Sequence, residues 1–163
     1  VVRGVAPFTL RVGVFVNPTR DAVRRAIEVV GIHVAQFHGE ESPGDLLGYA
    51  IPTVKAFRVA SASVLLEARR YHQAAAWLLD SYHPSQRGGS GETFNWDIAV
   101  RARALGRPMI LAGGLRPENV AEAVRAVRPY GVDVASGVET APGIKDRQAM
   151  RAFVAAVREA SIA

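Results

Sequence analysis

Short apolar runs rich in β-branched residues recur along this chain at intervals of 20 to 32 residues, and longer amphipathic stretches fill the gaps. The runs cover residues 11–17, 33–39, 53–59, 76–81, 108–114 and 131–137. Each has the length of a strand and falls short of a helix. Between the first two, residues 20–29 set Ala22, Val23, Ala26 and Ile27 at helical spacing, with Val30 following on the same face. Residues 97–105, 117–127 and 146–160 read the same way, and shorter helices are expected at 42–49 and 63–72. Pro117 suits a first helical turn, and Glu118 is favoured at that positive end. Alternating strands and helices imply parallel strands joined by crossover helices.

Two architectures are built from such units. One is a (β/α)8 TIM barrel, which closes after eight units. The other is an open doubly wound sheet, complete with six. Six are present, and the chain begins at Val1 rather than Met. On the barrel reading, strands 3–8 are therefore present and about two N-terminal strands are expected to be missing. A length of 163 residues suits a single domain spanning 1–163.

Composition narrows the chemistry. With no cysteine, the chain has no disulfide framework, no thiolate metal site and no thiol nucleophile. Metal could still bind through histidines and carboxylates, but no two histidines have ligand spacing. No apolar run approaches the roughly 20 residues of a membrane span, and the start lacks the pattern of a leader peptide. The expectation is a soluble, cytoplasmic chain with no membrane partner. The net charge of +5 is carried almost wholly by arginine, since Lys55 and Lys145 are the only lysines among 20 basic residues. The arginines are spread over the helical segments without stacking aromatics among them, so no nucleic-acid partner is expected. A small phosphorylated metabolite is compatible with this charge. The oligomeric state is not legible.

In parallel α/β folds the chemistry sits at the C-terminal ends of the strands. The fourth strand ends in WLLDS, which places Asp80 after an apolar run. Such a carboxylate is either an N-cap for the next element or a general acid–base group. In HVAQFHG, period two puts Val34, Gln36 and His38 on one face, with His38 at the mouth as a structural residue or a substrate contact. The fifth strand runs into Gly113-Gly114 and the sixth into Ser136-Gly137. Glycine pairs allow close backbone approach, and a following helix offers N–H groups to an anion. Two such junctions on the last two strands match the phosphate site that barrels often build there. The glycine-rich loop 82–92 has no P-loop pattern and reads either as a lid or as plain surface.

Taken together, VGVFVN, QFHGEE, LLDS, GGSGETFNW, ILAGGLRPENV and DVASGVETAPGIKD resemble the phosphoribosylanthranilate isomerase family of tryptophan biosynthesis, from about Arg11 to the C-terminus. The resemblance implies a (β/α)8 barrel and decides against the open sheet. It implies an Amadori rearrangement of N-(5-phosphoribosyl)anthranilate to 1-(2-carboxyphenylamino)-1-deoxyribulose 5-phosphate, without metal or redox cofactor. Asp80 matches the family's general acid, which protonates the furanose ring oxygen. Gly113, Gly114, Ser136 and Gly137 match its phosphate-binding positions. Asp133 matches an active-site aspartate whose role is orientation, and Gln36 and His38 match pocket-lining positions.

The departures matter as much. The family's general base is a cysteine in a K-I-C-G motif on the first barrel strand, and the loop after the second carries an arginine for the anthranilate side. This chain has no cysteine and neither strand, so the expectation is an N-terminally truncated chain with negligible isomerase activity alone. Other phosphate-binding barrels, such as indole-glycerol-phosphate synthase, are not expected to combine QFHGEE with LLDS and GGSGETFNW. A non-catalytic or partner-complemented barrel fragment that binds a sugar phosphate is the alternative from another class.

Overall fold

The computed structural model describes residues 4–80 and 96–162. The expected loop 82–92 and the last residue of the expected strand 76–81 lie outside them. Six strands form one parallel sheet: β1 (Val12–Phe15), β2 (Val34–Phe37), β3 (Thr53–Arg58), β4 (Ala76–Asp80), β5 (Met109–Ala112) and β6 (Gly131–Val132). Their order in space is their order in sequence, and every neighbouring pair is parallel. A doubly wound sheet reverses its strand order at a switch point. Here the order runs one way throughout, as in the wall of a (β/α) barrel.

Helices α1 (Arg20–Arg25), α2 (Val64–Ala68), α3 (Trp96–Arg103), α4 (Val120–Val127) and α5 (Arg147–Ile162) accompany the strands. Thr19 caps α1, its hydroxyl accepting from the Ala22 N–H at 3.3 Å, and the helix relaxes into a wider π turn over Ala26–Val30. Gly31, with φ of 67°, closes it. Helix α4 buries Val120, Ala123, Val124 and Val127, a stripe at 3.6-residue period, and packs against α5.

Alternation along the strands sorts the core into two layers. Ala35, Phe37, Phe57, Trp77, Leu79, Met109 and Leu111 face the helices. Val54, Ala56, Ala76, Leu78 and Ala112, with Val34 and Ile110 beside them, form a separate cluster on the inner face. Each fully buried Leu or Phe contributes about 1.5–3 kcal/mol. At the edge the inner face opens, and Val12, Val14 and Val16 on and just beyond β1 are 50%, 59% and 65% exposed.

Three expectations need correction. The segment 42–49 forms only a single 3-10 turn, Pro43–Leu46, opened by the Ser42–Asp45 capping box and ended where Leu47 turns to extended backbone. The helix expected from Pro117 starts at Val120, after a turn in which the Asn119 side chain accepts from the Arg116 N–H at 2.8 Å. The sixth strand pairs only over Gly131–Val132, and the Asp133 N–H adds one bond to the Leu111 carbonyl. Ser136–Val138 then turns tightly into a small antiparallel hairpin, β7 (Glu139–Ala141) and β8 (Ile144–Lys145).

Candidate active site

The C-terminal ends of β2, β4, β5 and β6 converge on one rim. Val34 and Gln36 point to the inner face, and His38 continues that parity beyond the end of β2. The His38 N–H donates to the Phe15 carbonyl at 2.8 Å, which holds the residue against the end of β1. Across the sheet, Leu78 and Asp80 share the inner face of β4, and the Asp80 carbonyl accepts from the Val59 N–H. His38 Nε2 lies 3.4 Å from Asp80 Oδ2, and the two side chains are 22% and 19% exposed. That separation is long for a hydrogen bond, and among the described residues Nε2 has no tighter partner. The imidazole and the carboxylate thus meet in a half-buried place, each side chain partly open to solvent.

Asp133 is the third polar group. Gly131 pairs with the inner-facing Ile110, so period two turns Asp133 inward as well. Its side chain reaches solvent at the rim, yet desolvation by the surrounding sheet ends raises its pKa above the ordinary carboxylate value. The charge of Asp80 raises it further, while His38 and Lys145 pull it down. Asp133 thus feels both Asp80 and His38 across the rim.

The two glycine junctions also meet. Gly113 and Gly114 have φ of 83° and 64°, so the chain leaves β5 through two left-handed residues. Gly137 is a glycine for a different reason. A Cβ there would lie 1.8 Å from the Leu115 carbonyl oxygen and 3.0 Å from its carbon. The loop after β6 thus lies directly on the loop after β5, and Ser136 stands exposed at the start of that turn. The N–H groups of Arg116, Asn119 and Val120 bond within the turn before α4. The α4 terminus therefore offers an anion less than its sequence suggests.

Two contributors were not singled out from sequence. Asn119 accepts from Arg116 and donates to the Gly114 carbonyl at 3.1 Å, which fixes the glycine loop. Its signal is an Asn three residues beyond Arg116, where an Asx side chain competes with helical bonding. Lys145 donates to the Ala135 carbonyl at 2.7 Å and to Glu139 at 2.6 Å, bracing the other loop. Its signal is the rarity of lysine in this chain.

Comparison with known proteins points to one family. A family profile described as N-(5'phosphoribosyl)anthranilate (PRA) isomerase matches residues 1–156. The N-(5'-phosphoribosyl)anthranilate isomerase of Myxococcus xanthus is 46% identical over 159 residues, covering 96% of this chain and 74% of that protein. The crystal structure of phosphoribosyl anthranilate isomerase from Thermotoga maritima superposes with a TM-score of 0.88 at 36% identity, over 97% of this chain and 77% of that one. A phosphoribosyl anthranilate isomerase in complex with reduced 1-(O-carboxyphenylamino)-1-deoxyribulose 5-phosphate gives 0.84 at 33% identity, over 97% and 76%. With the profile spanning nearly all of its length and the polar rim in place, this chain belongs to the N-(5'-phosphoribosyl)anthranilate isomerase family.

Proposed function

We propose that this chain serves the isomerisation of N-(5'-phosphoribosyl)anthranilate to 1-(2-carboxyphenylamino)-1-deoxyribulose 5-phosphate in tryptophan biosynthesis, as a cytoplasmic enzyme acting on a phosphorylated small molecule. The observation that carries this reading is the facing of His38 and Asp80 at 3.4 Å on the rim that also holds the paired glycine loops. Asp80 is the acid that protonates the ring oxygen and opens the sugar. Asp133 and His38 orient the opened chain, Gln36 lines the pocket, and the backbone at Gly113, Gly114, Ser136 and Gly137 holds the phosphate. An anion held by backbone N–H groups leaves the reacting carbons over the inner face, within reach of Asp80.

On this reading residues 1–163 act as one barrel domain, and its six strands correspond to the third through eighth of the eight-stranded barrel. The family's base is a cysteine, and none is among these 163 residues. The 163-residue chain alone is therefore expected to turn over negligibly while keeping its phosphate loops. The exposed inner face of β1 favours a second reading, a sugar-phosphate-binding barrel wall completed by a further polypeptide segment.

The test is Asp80→Asn in the full natural polypeptide. Turnover should fall by about 10²–10⁴, the usual worth of a general acid, with binding of a reduced product analogue retained. A variant that keeps both binding and turnover removes Asp80 from the mechanism.

A further inference from the structure

The helix side of β3 carries an unusual residue for an apolar layer. Lys55 is 2% exposed and stands between Thr53 and Phe57 on that face. Its Nζ lies 3.1 Å from Glu41 Oε2, itself 3% exposed. It also donates to the Gly39 carbonyl at 2.7 Å and the Ala56 carbonyl at 3.1 Å, with the Phe37 carbonyl a longer contact at 3.4 Å that shares one of its three protons. The Phe57 and Tyr71 rings flank it at 5.6 and 5.7 Å. The Glu41 carboxylate in turn accepts from the Asn17 N–H at 2.7 Å and from the Gly39 N–H at 3.0 and 3.1 Å. The Asn17 side chain accepts from the Glu40 N–H at 2.7 Å, and the Tyr71 hydroxyl donates to the Glu41 carbonyl at 2.8 Å.

Two of the carbonyls that Lys55 holds, those of Phe37 and Gly39, belong to the residues on either side of His38. We infer that the buried Lys55–Glu41 pair is a positioning device that sets the imidazole of His38 against Asp80. The inference deepens the proposed function and rests on its placing of the reacting groups at this rim. Stability alone accounts poorly for the pair, because well-packed apolar residues usually replace a buried ion pair without loss. Lysine rather than arginine is also telling, since this chain uses arginine for 18 of its 20 basic residues. A compact ammonium with three donors on a flexible stem reaches carbonyls converging on one point, whereas a planar guanidinium does not. With Asn17 drawn in through Glu41, the rim segments after β1 and β2 become one body. His38 stands on that body and Asp80 on the end of β4.

The experiment is imidazole NMR of His38 in the full natural polypeptide, read together with steady-state kinetics. Removing one charge alone strands the other, so the main variant is Lys55→Met with Glu41→Gln. In the parent, Asp80→Asn is expected to move the His38 ring signals. In a folded double variant those signals should lie elsewhere and respond little to Asp80→Asn. Turnover should fall about ten-fold to a hundred-fold with KM within about two-fold, as for a displaced catalytic group. His38→Asn should cost little more in that background, because the two changes act on one element. If the double variant does not fold, Glu41→Gln alone serves, since it turns an amide nitrogen or a neutral oxygen toward the Lys55 ammonium. Its His38–Asp80 coupling should weaken. Ring signals and Asp80 response matching the parent in a folded variant overturn the inference. Lost coupling without any isomerase activity in the parent would instead keep the positioning role and remove the assigned reaction.

Discussion

Gly137→Ala gives the sharpest test of the loop geometry. The backbone of Gly137 is not in the left-handed region, so the substitution adds no conformational strain there. The whole effect is steric. The new methyl would sit 1.8 Å from the Leu115 carbonyl oxygen, about 1.6 Å short of ordinary van der Waals contact, and 3.2 Å from Arg116 Cγ. The nearest obstacles are backbone atoms, so no rotamer change relieves them. One loop must move by more than an ångström. Overpacking of this kind costs about 1–3 kcal/mol of stability. A shift of about 1 Å in a positioning group costs about 10²-fold in function. Phosphate contacts bind ground and transition state alike, so the loss should appear in KM and in analogue affinity rather than in kcat.

Gly114→Ala is the control. Nothing lies within 4 Å of a Cβ there, but φ is 64°, so the cost is left-handed strain of about 1–2 kcal/mol without a clash. Urea unfolding and calorimetric titration with a reduced product analogue, in the full natural polypeptide, read both quantities. Gly137→Ala should weaken binding well beyond Gly114→Ala. Equal analogue affinity in parent and Gly137→Ala would refute the claim that the two loops form one surface for the phosphate.

Three further outcomes follow from the rim. Asp133 has its folded pKa raised, so its ionised form is a burden that grows as pH rises through that value and vanishes below the unfolded value near 3.8. Asp133→Asn should therefore raise Tm at pH 7 by about 1–2 °C, kept small by solvent at the rim, and leave it unchanged at pH 3; equal shifts at both pH values would contradict this. Burial pushes the Glu41 pKa up, but the N–H groups of Asn17 and Glu41 itself, together with Lys55, outweigh it and hold the group below 4.5. Its contribution is thus present above pH 4.5 and lost as pH falls through the lowered value, so Glu41→Gln should flatten the acid arm of a stability–pH curve; an unchanged arm would count against it. Tyr71→Phe removes the buried hydroxyl bond to the Glu41 carbonyl and should cost about 0.5–1.5 kcal/mol in urea unfolding, whereas a neutral result would show that the carbonyl finds another donor.

The wall of strands was legible because its signals are local. Each strand is a short apolar run whose parity can be read residue by residue, and parity with chain direction places Gln36, His38, Asp80 and Asp133 on one inner rim. Boundaries were less legible where a side chain competes with the backbone. Asn119 takes the Arg116 N–H and delays α4 by three residues past Pro117, and the Ser42–Asp45 pair caps a helix that does not continue. The two glycine junctions were visible in the sequence as separate turns. Their contact was not, because it depends on the distance between Gly137 and a carbonyl 22 residues earlier.

The Lys55–Glu41 pair shows why the remainder was hidden. Within TVKAFRV a lysine looks like an ordinary solvated position on a strand, and Glu41 looks like a polar residue after a turn. Their meaning lies in partners 14 to 30 residues away, from Asn17 through Gly39 to Tyr71, and no local period reports such distances. What does report them is a bias and its exceptions. In a chain that uses arginine almost everywhere, both lysines are bound to main-chain carbonyls at the same rim, Lys55 beside His38 and Lys145 beside Ala135. Arginine on a solvated helix costs little to exchange, but a point of converging carbonyls admits only a compact ammonium. The two exceptions to the composition thus fall where one ammonium must serve a carboxylate and main-chain carbonyls together.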